Sequence, residues 1–231
     1  MKARSTPYHS GSLVPEDGLD PPAEACPLCG SRSPRKVVAE IQAEPRVALL
    51  HCSACSGSSA SRLPTDAYLA RWYATYYDDH RDAVTVGDVE RVARHLDRIL
   101  PPTPSGPLSI LDFGGGNGAI AEELALCRAP ARGADVLLVD PTPPKAPQND
   151  RVRFDHVPDL DAAPMRPHHI VIASAIIEHV RDPSATLRAL VDRLRPGGSL
   201  YARTPWVAAF ARVLPEFDLV FPCHLHDLGP A

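Results

Sequence analysis

The sequence predicts an α/β fold: a doubly wound, Rossmann-like parallel sheet preceded by a small cysteine-rich module. Two observations predict it. From residue 108 onward, short apolar runs alternate with helical patterns, which is typical of consecutive βαβ units. Ahead of these runs stand two C-x-x-C pairs, a spacing typical of metal sites. A chain of 231 residues has room for one such domain and a small appendage.

Composition narrows the class of protein. The formal net charge is −4 and no part of the chain is strongly basic, which argues against a nucleic-acid-binding protein. No apolar run approaches the ~20 residues of a membrane span, and the first 19 residues are too polar for a signal peptide. We therefore expect a cytoplasmic protein whose six cysteines are thiols or metal ligands rather than disulfides.

The N-terminal region predicts a tail and a metal module. Residues 1–23 mix Ser, Pro, Gly and charge without periodicity, which predicts a flexible tail. Residues 24–62 hold four cysteines: Cys26, Cys29, Cys52 and Cys55. Each C-x-x-C presents two thiolates from one turn, and two such knuckles give the four-sulfur set that Zn²⁺ prefers in a zinc-ribbon-like module. Because four thiolates leave no open position for a reacting water, this zinc would be structural.

The gap between the two pairs supports the module. Its 22 residues leave room for short strands at 37–41 and 47–51. The alternatives are a redox C-x-x-C and unrelated buried cysteines, and the paired repeat argues against both. His51, beside the second knuckle, is a possible substitute ligand.

Residues 63–107 predict a helical linker or lid. Pro64-Thr65-Asp66 starts a helix through Tyr77, which stacks Trp72 on Tyr76 and Tyr73 on Tyr77 at i,i+4 spacing. Such an aromatic stripe packs in a core or covers a substrate, and the sequence leaves both open. A second, amphipathic helix is predicted over 85–100, and prolines at 101–107 link it to the next strand.

The rest of the chain, 108–231, is organised around Leu108–Ala119, an apolar run that ends on an acid, turns through glycines and enters a helical pattern. The glycines fit two patterns. Gly114, Gly116 and Ala119 fit the G-x-G-x-x-A of dinucleotide sites. Asp112, Gly114, Gly116 and Gly118 fit D-x-G-x-G-x-G. A carboxylate ahead of the glycines repels a pyrophosphate and attracts a ligand with an amino group and a sulfonium, which favours the second pattern.

Acidic residues at later strand ends extend this site. The predicted second strand, 134–139, ends at Asp140, which is placed to accept hydrogen bonds from ribose hydroxyls, although Asp140-Pro141 could also simply cap a turn. A third strand is predicted at 151–157. Asp155 and Asp159 both suit an adenine amino group, and the sequence does not choose between them.

The second half repeats the alternation. A fourth strand at 169–173 is followed by Glu178-His179-Val180, an Asp182-Pro183 helix start, a helix at 184–194, Arg195-Pro196-Gly197-Gly198 and a fifth strand at 199–204. Together with the glycine motif and Asp140, this succession resembles class I S-adenosylmethionine (SAM) methyltransferases over residues 108–205. The cysteine knuckles followed by Tyr76-Tyr77 resemble a subgroup with an N-terminal zinc module, which includes sugar C-methyltransferases of bacterial secondary metabolism.

The resemblance implies site residues. SAM would be bound by the glycine motif and the acids: Asp112, Gly114, Gly116, Gly118, Asp140 and Asp155. Glu178 and His179 would be catalytic, with His179 as a general base that titrates near neutrality and Glu178 orienting it. In one related O-methyltransferase group this pair binds a divalent metal instead. Without the resemblance, the pair would be expected only to cap the next helix or to face solvent.

The C-terminal segment departs from the family pattern. The methyltransferase sheet normally adds an antiparallel pair of strands after the fifth, and we expect this β-hairpin to be missing here. Only a helix-like stretch at 206–214 and Phe221–Asp227 remain. His224 and His226 alternate in that last stretch; they could supply a second base or a substrate contact, but we expect them at the surface.

These observations predict methyl transfer from SAM to a carbon or oxygen of a small molecule. The fourth strand ends Ala-Ser-Ala-Ile, without the Asn/Asp-Pro-Pro-aromatic turn of amino-methylating nucleic-acid enzymes, so no nucleic-acid partner is expected. The alternatives are an RNA- or protein-modifying methyltransferase that grips its substrate through Arg32, Arg35 and Lys36, a SAM-binding protein without turnover, and an NAD-dependent oxidoreductase.

Overall fold

Nine strands and four α-helices form the described part of the computed structural model, which comprises residues 11–79, 87–103, 106–129, 133–141, 143, 150–206 and 220–229, without the side chains of 76–79. In chain order the strands are β1 (Lys36–Gln42), β2 (Val47–His51), β3 (Ser58–Ala60), β4 (Leu108–Phe113), β5 (Ala134–Val139), β6 (Val152–Val157), β7 (His168–Ser174), β8 (Leu194–Arg203) and β9 (His226–Asp227). The helices are α1 (Asp66–Asp79), α2 (Val89–Ile99), α3 (Ala119–Arg128) and α4 (Pro183–Val191), with short 3-10 helices at Glu16–Gly18 and Ile177–His179. Within these described ranges, no helix combines the length and apolarity needed to cross a membrane.

The chain forms two compact units that do not follow the predicted boundaries. Unit 1 comprises Met1–Ala83, Glu178–Ala185 and Thr204–Ala231, and unit 2 comprises Val84–Ile177 and Thr186–Arg203. The last segment joins unit 1 rather than the predicted 108–231 domain because β9 pairs with β3, through Ser58 opposite Asp227 and Ser59 opposite His226. Neither of these short strands was predicted.

Unit 2 is built on a parallel five-stranded sheet in the order β6-β5-β4-β7-β8. The strand order reverses on either side of β4, and in open parallel sheets ligands bind beyond the carboxyl ends of the strands at that point. The central strands β4, β5 and β7 are buried along most of their length, as expected when both faces of a sheet are covered. Their side chains pack with α2 and α3 in one core that includes Leu96, Ile110, Leu124, Val136 and Ile170. The predicted Rossmann-like α/β fold is confirmed.

The last strand of this sheet begins earlier than predicted. His168 pairs with Leu194 and Ile170 with Ser199, so Arg195–Gly198 bulge between two strand pairings instead of ending the helix. Helix α4 accordingly stops at Val191. The predicted helix at 206–214 and any strands within 207–219 lie outside the described residues. Within the described ranges, β8 is the last strand of the sheet on its side.

Unit 1 is built on an antiparallel sheet in the order β1-β2-β3-β9. One apolar cluster joins strands, helix and the C-terminal segment through Ile41, Leu49, Leu69, Phe221 and Leu225. Since these residues come from both ends of the chain, the unit's core forms only when the two ends meet.

The predicted flexible tail is wrong where the structure describes it. Val14 is fully buried and Leu19 nearly so, and both belong to the apolar cluster of unit 1. The Gln42 side chain accepts from the Val14 N–H and donates to the Val14 carbonyl, both at 2.8 Å. The segment that holds Val14 and Leu19 is therefore ordered by these two buried side chains and by the hydrogen bonds to Gln42. Residues 1–10 of the predicted tail lie outside the described residues.

Candidate functional site

The glycine loop leaves β4 and enters α3 through a backbone that favours glycine. Gly114, Gly116 and Gly118 have φ angles of 66°, 58° and 77°. A Cβ on Gly114 would lie 2.4 Å from Ile176 Cγ1, and one on Gly118 would lie 2.6 Å from Phe154 Cε1. A Cβ on Gly116 would meet no atom of the described structure within 4 Å. Two glycines therefore allow tight packing, and the third presents backbone to open space.

Asp140 lies against this loop. Its Oδ2 accepts the Gly116 N–H at 2.9 Å, and its carbonyl accepts from His156 Nε2 at 2.7 Å. Asp140 is mostly buried, and β5 ends immediately before it. The loop and the predicted ribose-binding carboxylate thus form one rigid arrangement at the carboxyl end of the sheet.

Asp112 lies beneath the loop rather than on its surface. It is 2% exposed, and a Cβ on Gly115 would fall 2.3 Å from its Oδ2. That oxygen has no hydrogen-bond partner among the described residues. Burial, and secondly the charge of Asp140, raises the pKa of Asp112 to about 7. Gly115, which the sequence motifs passed over, is required here because any side chain would displace this carboxylate.

Asp155 lies on β6, the strand next to β5 in the sheet. It lies within β6, opposite Leu137, two residues before the strand ends, and its carboxylate pairs with Arg166 at 3.0 Å. Asp159, the alternative, accepts the Ala162 N–H at 2.8 Å. An adenine-binding role for Asp155 stays a prediction.

The loop fits a cofactor of the predicted kind. Exposed Gly116 backbone gives a surface that a side chain would block, and α3 begins at Ala119, whose N–H donates to Asn117 Oδ1 at 3.2 Å. The Asp140 carboxylate gives this surface a negative character, to which buried Asp112 adds only its ionised fraction because its pKa is about 7. Such a surface suits a ligand with hydroxyl donors and positive charge better than a pyrophosphate.

The four cysteines of the predicted module form two matching turns. In the first turn, Gly30 N–H donates to the Cys26 carbonyl and Cys26 N–H donates to the Ser31 carbonyl. In the second turn, the same two bonds join Ser56 with Cys52 and Cys52 with Gly57. Gly30 and Ser56 occupy equivalent positions, with φ angles of 71° and 61°. We call these four cysteines the cysteine knuckles.

The cysteine knuckles have the geometry of a four-sulfur metal site. Their sulfurs all lie within 4.8 Å of one another, with Cys26 3.9 Å from Cys55 and Cys29 3.8 Å from Cys52. A tetrahedral zinc with bonds of about 2.3 Å separates its sulfurs by about 3.8 Å. Burial opposes ionisation of Cys52, but the N–H groups of Cys55 and Ala54 donate to its sulfur, and its pKa falls to about 7. The residues present fit a structural zinc.

His179 belongs to a second cluster, in unit 1. Its Nδ1 lies 3.0 Å from Cys223 Sγ and 3.4 Å from the Tyr73 hydroxyl. Its ring meets that of His224 edge to face at 4.7 Å, and its Nε2 lies 3.7 Å from Glu178 Oε1. Burial, and secondly the charge of His224, lowers the pKa of His179 to about 3, so the imidazole is neutral at neutral pH. We call His179, Cys223 and His224 the His179 cluster.

Sequence reasoning missed most of this cluster. Tyr73 was assigned to an aromatic stripe, Cys223 received no site role, and His224 and His226 were expected at the surface. That expectation is wrong: His224 is half-buried, and His226 is 3% exposed, with Nδ1 3.1 Å from Ser59 Oγ and Nε2 3.0 Å from the Val180 carbonyl. The only available signal was the density of metal-binding residue types in Cys223-His224-Leu225-His226.

The curated relatives that the chain matches include two methyltransferases. A ubiquinone biosynthesis O-methyltransferase of Cereibacter sphaeroides is 33% identical over 126 residues, which are 50% of this chain and 49% of the relative. A tRNA 5-carboxymethoxyuridine methyltransferase of Escherichia coli is 33% identical over 117 residues, 46% of this chain and 43% of the relative. The chain thus spans about half the length of the curated relatives it matches.

Solved structures show a weaker likeness. A 1,6-didemethyltoxoflavin-N1-methyltransferase of Burkholderia thailandensis is 24% identical with a TM-score of 0.43, over 67% of each chain. The family-level match is broader: the family described as methyltransferase domain matches residues 77–226, well over half of the chain. The protein therefore belongs to the methyltransferase domain family.

Proposed function

We propose that this protein transfers a methyl group from SAM to an oxygen or carbon of a small molecule. The observation that carries the proposal is the glycine loop closed on Asp140, in a chain of the methyltransferase family. Gly116 fixes the Asp140 carboxylate through its N–H and leaves open space above its own Cα. A cofactor that lies over the loop therefore meets bare backbone and a positioned carboxylate together.

Asp140 and the glycine loop would hold SAM. Asp140 accepts hydrogen bonds from the ribose hydroxyls, the cofactor lies over the open backbone of Gly116, and Gly114 and Gly118 shape the loop through their close packing. SAM, when bound, supplies the electrophilic methyl carbon, and the protein aligns the acceptor and takes up its proton. The Asp140 carboxylate beside the Gly116 N–H favours a cation over a pyrophosphate, which supports SAM over NAD.

Zinc at the cysteine knuckles is part of the proposal. All four ligands are protein thiolates, so the metal would stabilise the turns and leave no position for substrate. Cys26, Cys29, Cys52 and Cys55 would hold it.

Glu178 and His179 are proposed to act on the methyl acceptor. The contacts of His179 argue against a simple role as a general base, because its Nδ1 already faces Cys223 and Tyr73. A pKa of about 3 also makes a neutral imidazole a weak proton acceptor. The proposed role of His179 as a general base therefore requires its pKa to rise when substrate and cofactor bind.

A small molecule is favoured as substrate over RNA. The tRNA-modifying relative in Escherichia coli supports the RNA alternative. One of the three basic residues that would grip RNA is engaged within the protein, since Arg35 donates to the Ala23 carbonyl; Arg32 is exposed and lies 3.9 Å from the equally exposed Glu24. The net charge of −4 also opposes RNA binding.

Calorimetric titration with SAM tests the cofactor site. Asp140→Ala removes acceptors for two hydroxyls and should weaken SAM binding by about 1.5–3 kcal/mol, the scale of hydrogen bonds to charged groups. Gly116→Val should weaken it further, because its side chain fills the space above the loop. Asp135→Ala is the matched control: this half-exposed carboxylate pairs with Arg153 at the opposite end of β5 and should not change affinity.

The same titrations, together with assays of methyl transfer, separate the alternatives. Unchanged SAM affinity in both loop variants would place the cofactor elsewhere, and binding of NAD in preference to SAM would replace the proposal with an oxidoreductase. Tight SAM binding without methyl transfer to any small-molecule acceptor, but with transfer to tRNA, would establish the RNA alternative.

A further inference from the structure

Three side chains with metal-binding atoms meet in unit 1 away from the cysteine knuckles. They are the His179 cluster, and their donor atoms all lie within 4.8 Å of one another. We propose that the His179 cluster binds one divalent transition-metal ion, preferably zinc, through three protein ligands and with one open position.

The donor atoms already converge. His179 Nδ1 and Cys223 Sγ are 3.0 Å apart, and the His179 and His224 rings cross at 86° with centroids 4.7 Å apart. The Nδ1 atom of His224 is buried and has no hydrogen-bond partner within the described ranges. A buried nitrogen without a partner costs free energy, and a metal bond would satisfy it.

Glu178 supplies the usual companion of a histidine ligand. Metal-binding histidines commonly direct their second nitrogen toward a carboxylate, which fixes the ring and strengthens the ligand. In His179, Nδ1 faces Cys223, while Nε2 lies 3.7 Å from Glu178 Oε1. Glu178 is 1% exposed, so this carboxylate faces the protein interior rather than solvent.

Backbone contacts hold the two halves of the cluster together. Leu225 N–H donates to the Glu178 carbonyl at 2.9 Å, and the His226 ring donates to the Val180 carbonyl at 3.0 Å. His226 itself lies in β9, paired with β3. Segments 178–180 and 223–226 are thus joined on both sides of the ligands, which pre-organises a site before metal arrives.

The donor set indicates the metal and its use. One thiolate and two imidazoles favour zinc over magnesium or calcium, which prefer oxygen ligands. Three protein ligands with an open fourth position are typical of catalytic zinc, in contrast to the four sulfurs of the cysteine knuckles. The Tyr73 hydroxyl, 3.4 Å from Nδ1 and 4.0 Å from Sγ, is placed to hydrogen-bond a fourth ligand.

The metal site rests on residues of unit 1 alone and is independent of the proposed function.

Metal content of the full chain tests the site. We expect about two zinc ions per chain in the protein purified without chelators, one at each cluster. Cys223→Ala and His224→Ala should each reduce this to about one, whereas Cys127→Ala, an exposed cysteine in neither cluster, should leave two. About one zinc in the unmodified protein, with no change in Cys223→Ala, would overturn the proposal.

Two further measurements keep the test decisive if a ligand variant unfolds. Glu178→Gln keeps all three ligands and should weaken metal retention against a competing chelator by about 10- to 100-fold. In the Co²⁺-substituted protein, Cys223→Ser should reduce the thiolate-to-cobalt absorption by one ligand's share. Absence of both effects refutes the site. SAM affinity is measured separately, so loss of the metal site and loss of the cofactor site remain distinguishable.

Discussion

The two cysteine-containing clusters of unit 1 are assembled in opposite ways. Each cysteine knuckle places two sulfurs through one turn, and the two turns share the same hydrogen bonds. The His179 cluster instead combines residues from two segments 44 positions apart, together with Tyr73 from α1. A site built from local turns is visible in the sequence and depends on few other contacts, whereas a site built from distant segments exists only in the folded unit.

The two clusters also differ in the metal chemistry that they suit. Four thiolates enclose their centre, while the His179 cluster offers three donors and a nearby hydroxyl. The first arrangement stabilises and the second leaves room for chemistry. Loss of the His179 cluster should therefore leave the zinc at the cysteine knuckles in place.

The largest effect is expected at the cysteine knuckles. Cys52→Ala should abolish amide protection over residues 26–62 in hydrogen exchange. Structural zinc contributes about 10–16 kcal/mol in small zinc peptides, as much as the whole stability of many domains. Exposed Cys127→Ala is the control and should leave protection unchanged. Full protection in Cys52→Ala would mean that the turns hold themselves without metal.

An intermediate effect is expected at His226, which supports the His179 cluster without belonging to it. His226→Ala loses a buried bond to Ser59 and a partly buried bond to the Val180 carbonyl, and should cost about 1–3 kcal/mol of unfolding free energy. Denaturant unfolding measures this cost, and the exposed His95→Ala is the control. In this variant, zinc at the cysteine knuckles should remain while metal at the His179 cluster is lost. Loss of the knuckle zinc with retention of the other metal would contradict the comparison.

The smallest effect is expected from exchanging the equivalent residues of the two knuckles. Gly30→Ser places a side chain at φ 71° in open space, where the left-handed conformation costs roughly 1–2 kcal/mol. Metal content should not change, because Ser56 already adopts this conformation in the other knuckle. Thermal unfolding measures the cost, and Ser56→Gly should relieve the same strain. A loss of zinc in Gly30→Ser would show that the two turns are not equivalent.

Much of unit 2 could be predicted because its signals are local. Strands β4 and β5 are short apolar runs with turn residues at their ends, and Gly114–Gly118 with Asp140 form a motif whose spacing sets their geometry. For Asp155 the structure adds what spacing cannot give: strand register sets it two residues before the end of β6, where it pairs with Arg166. Its adenine-binding role stays a prediction.

The sequence by itself determined the α/β architecture, the glycine loop with its carboxylate and the pairing of the four cysteines, because periodicity and motif spacing act over a few residues. Only the tertiary structure decided that Val14 is buried, that β9 pairs with β3, and that Cys223 and His224 meet His179. Those contacts join residues far apart in the chain. They are set by which apolar side chains the core of unit 1 buries, and β9 is too short to be predicted from its sequence.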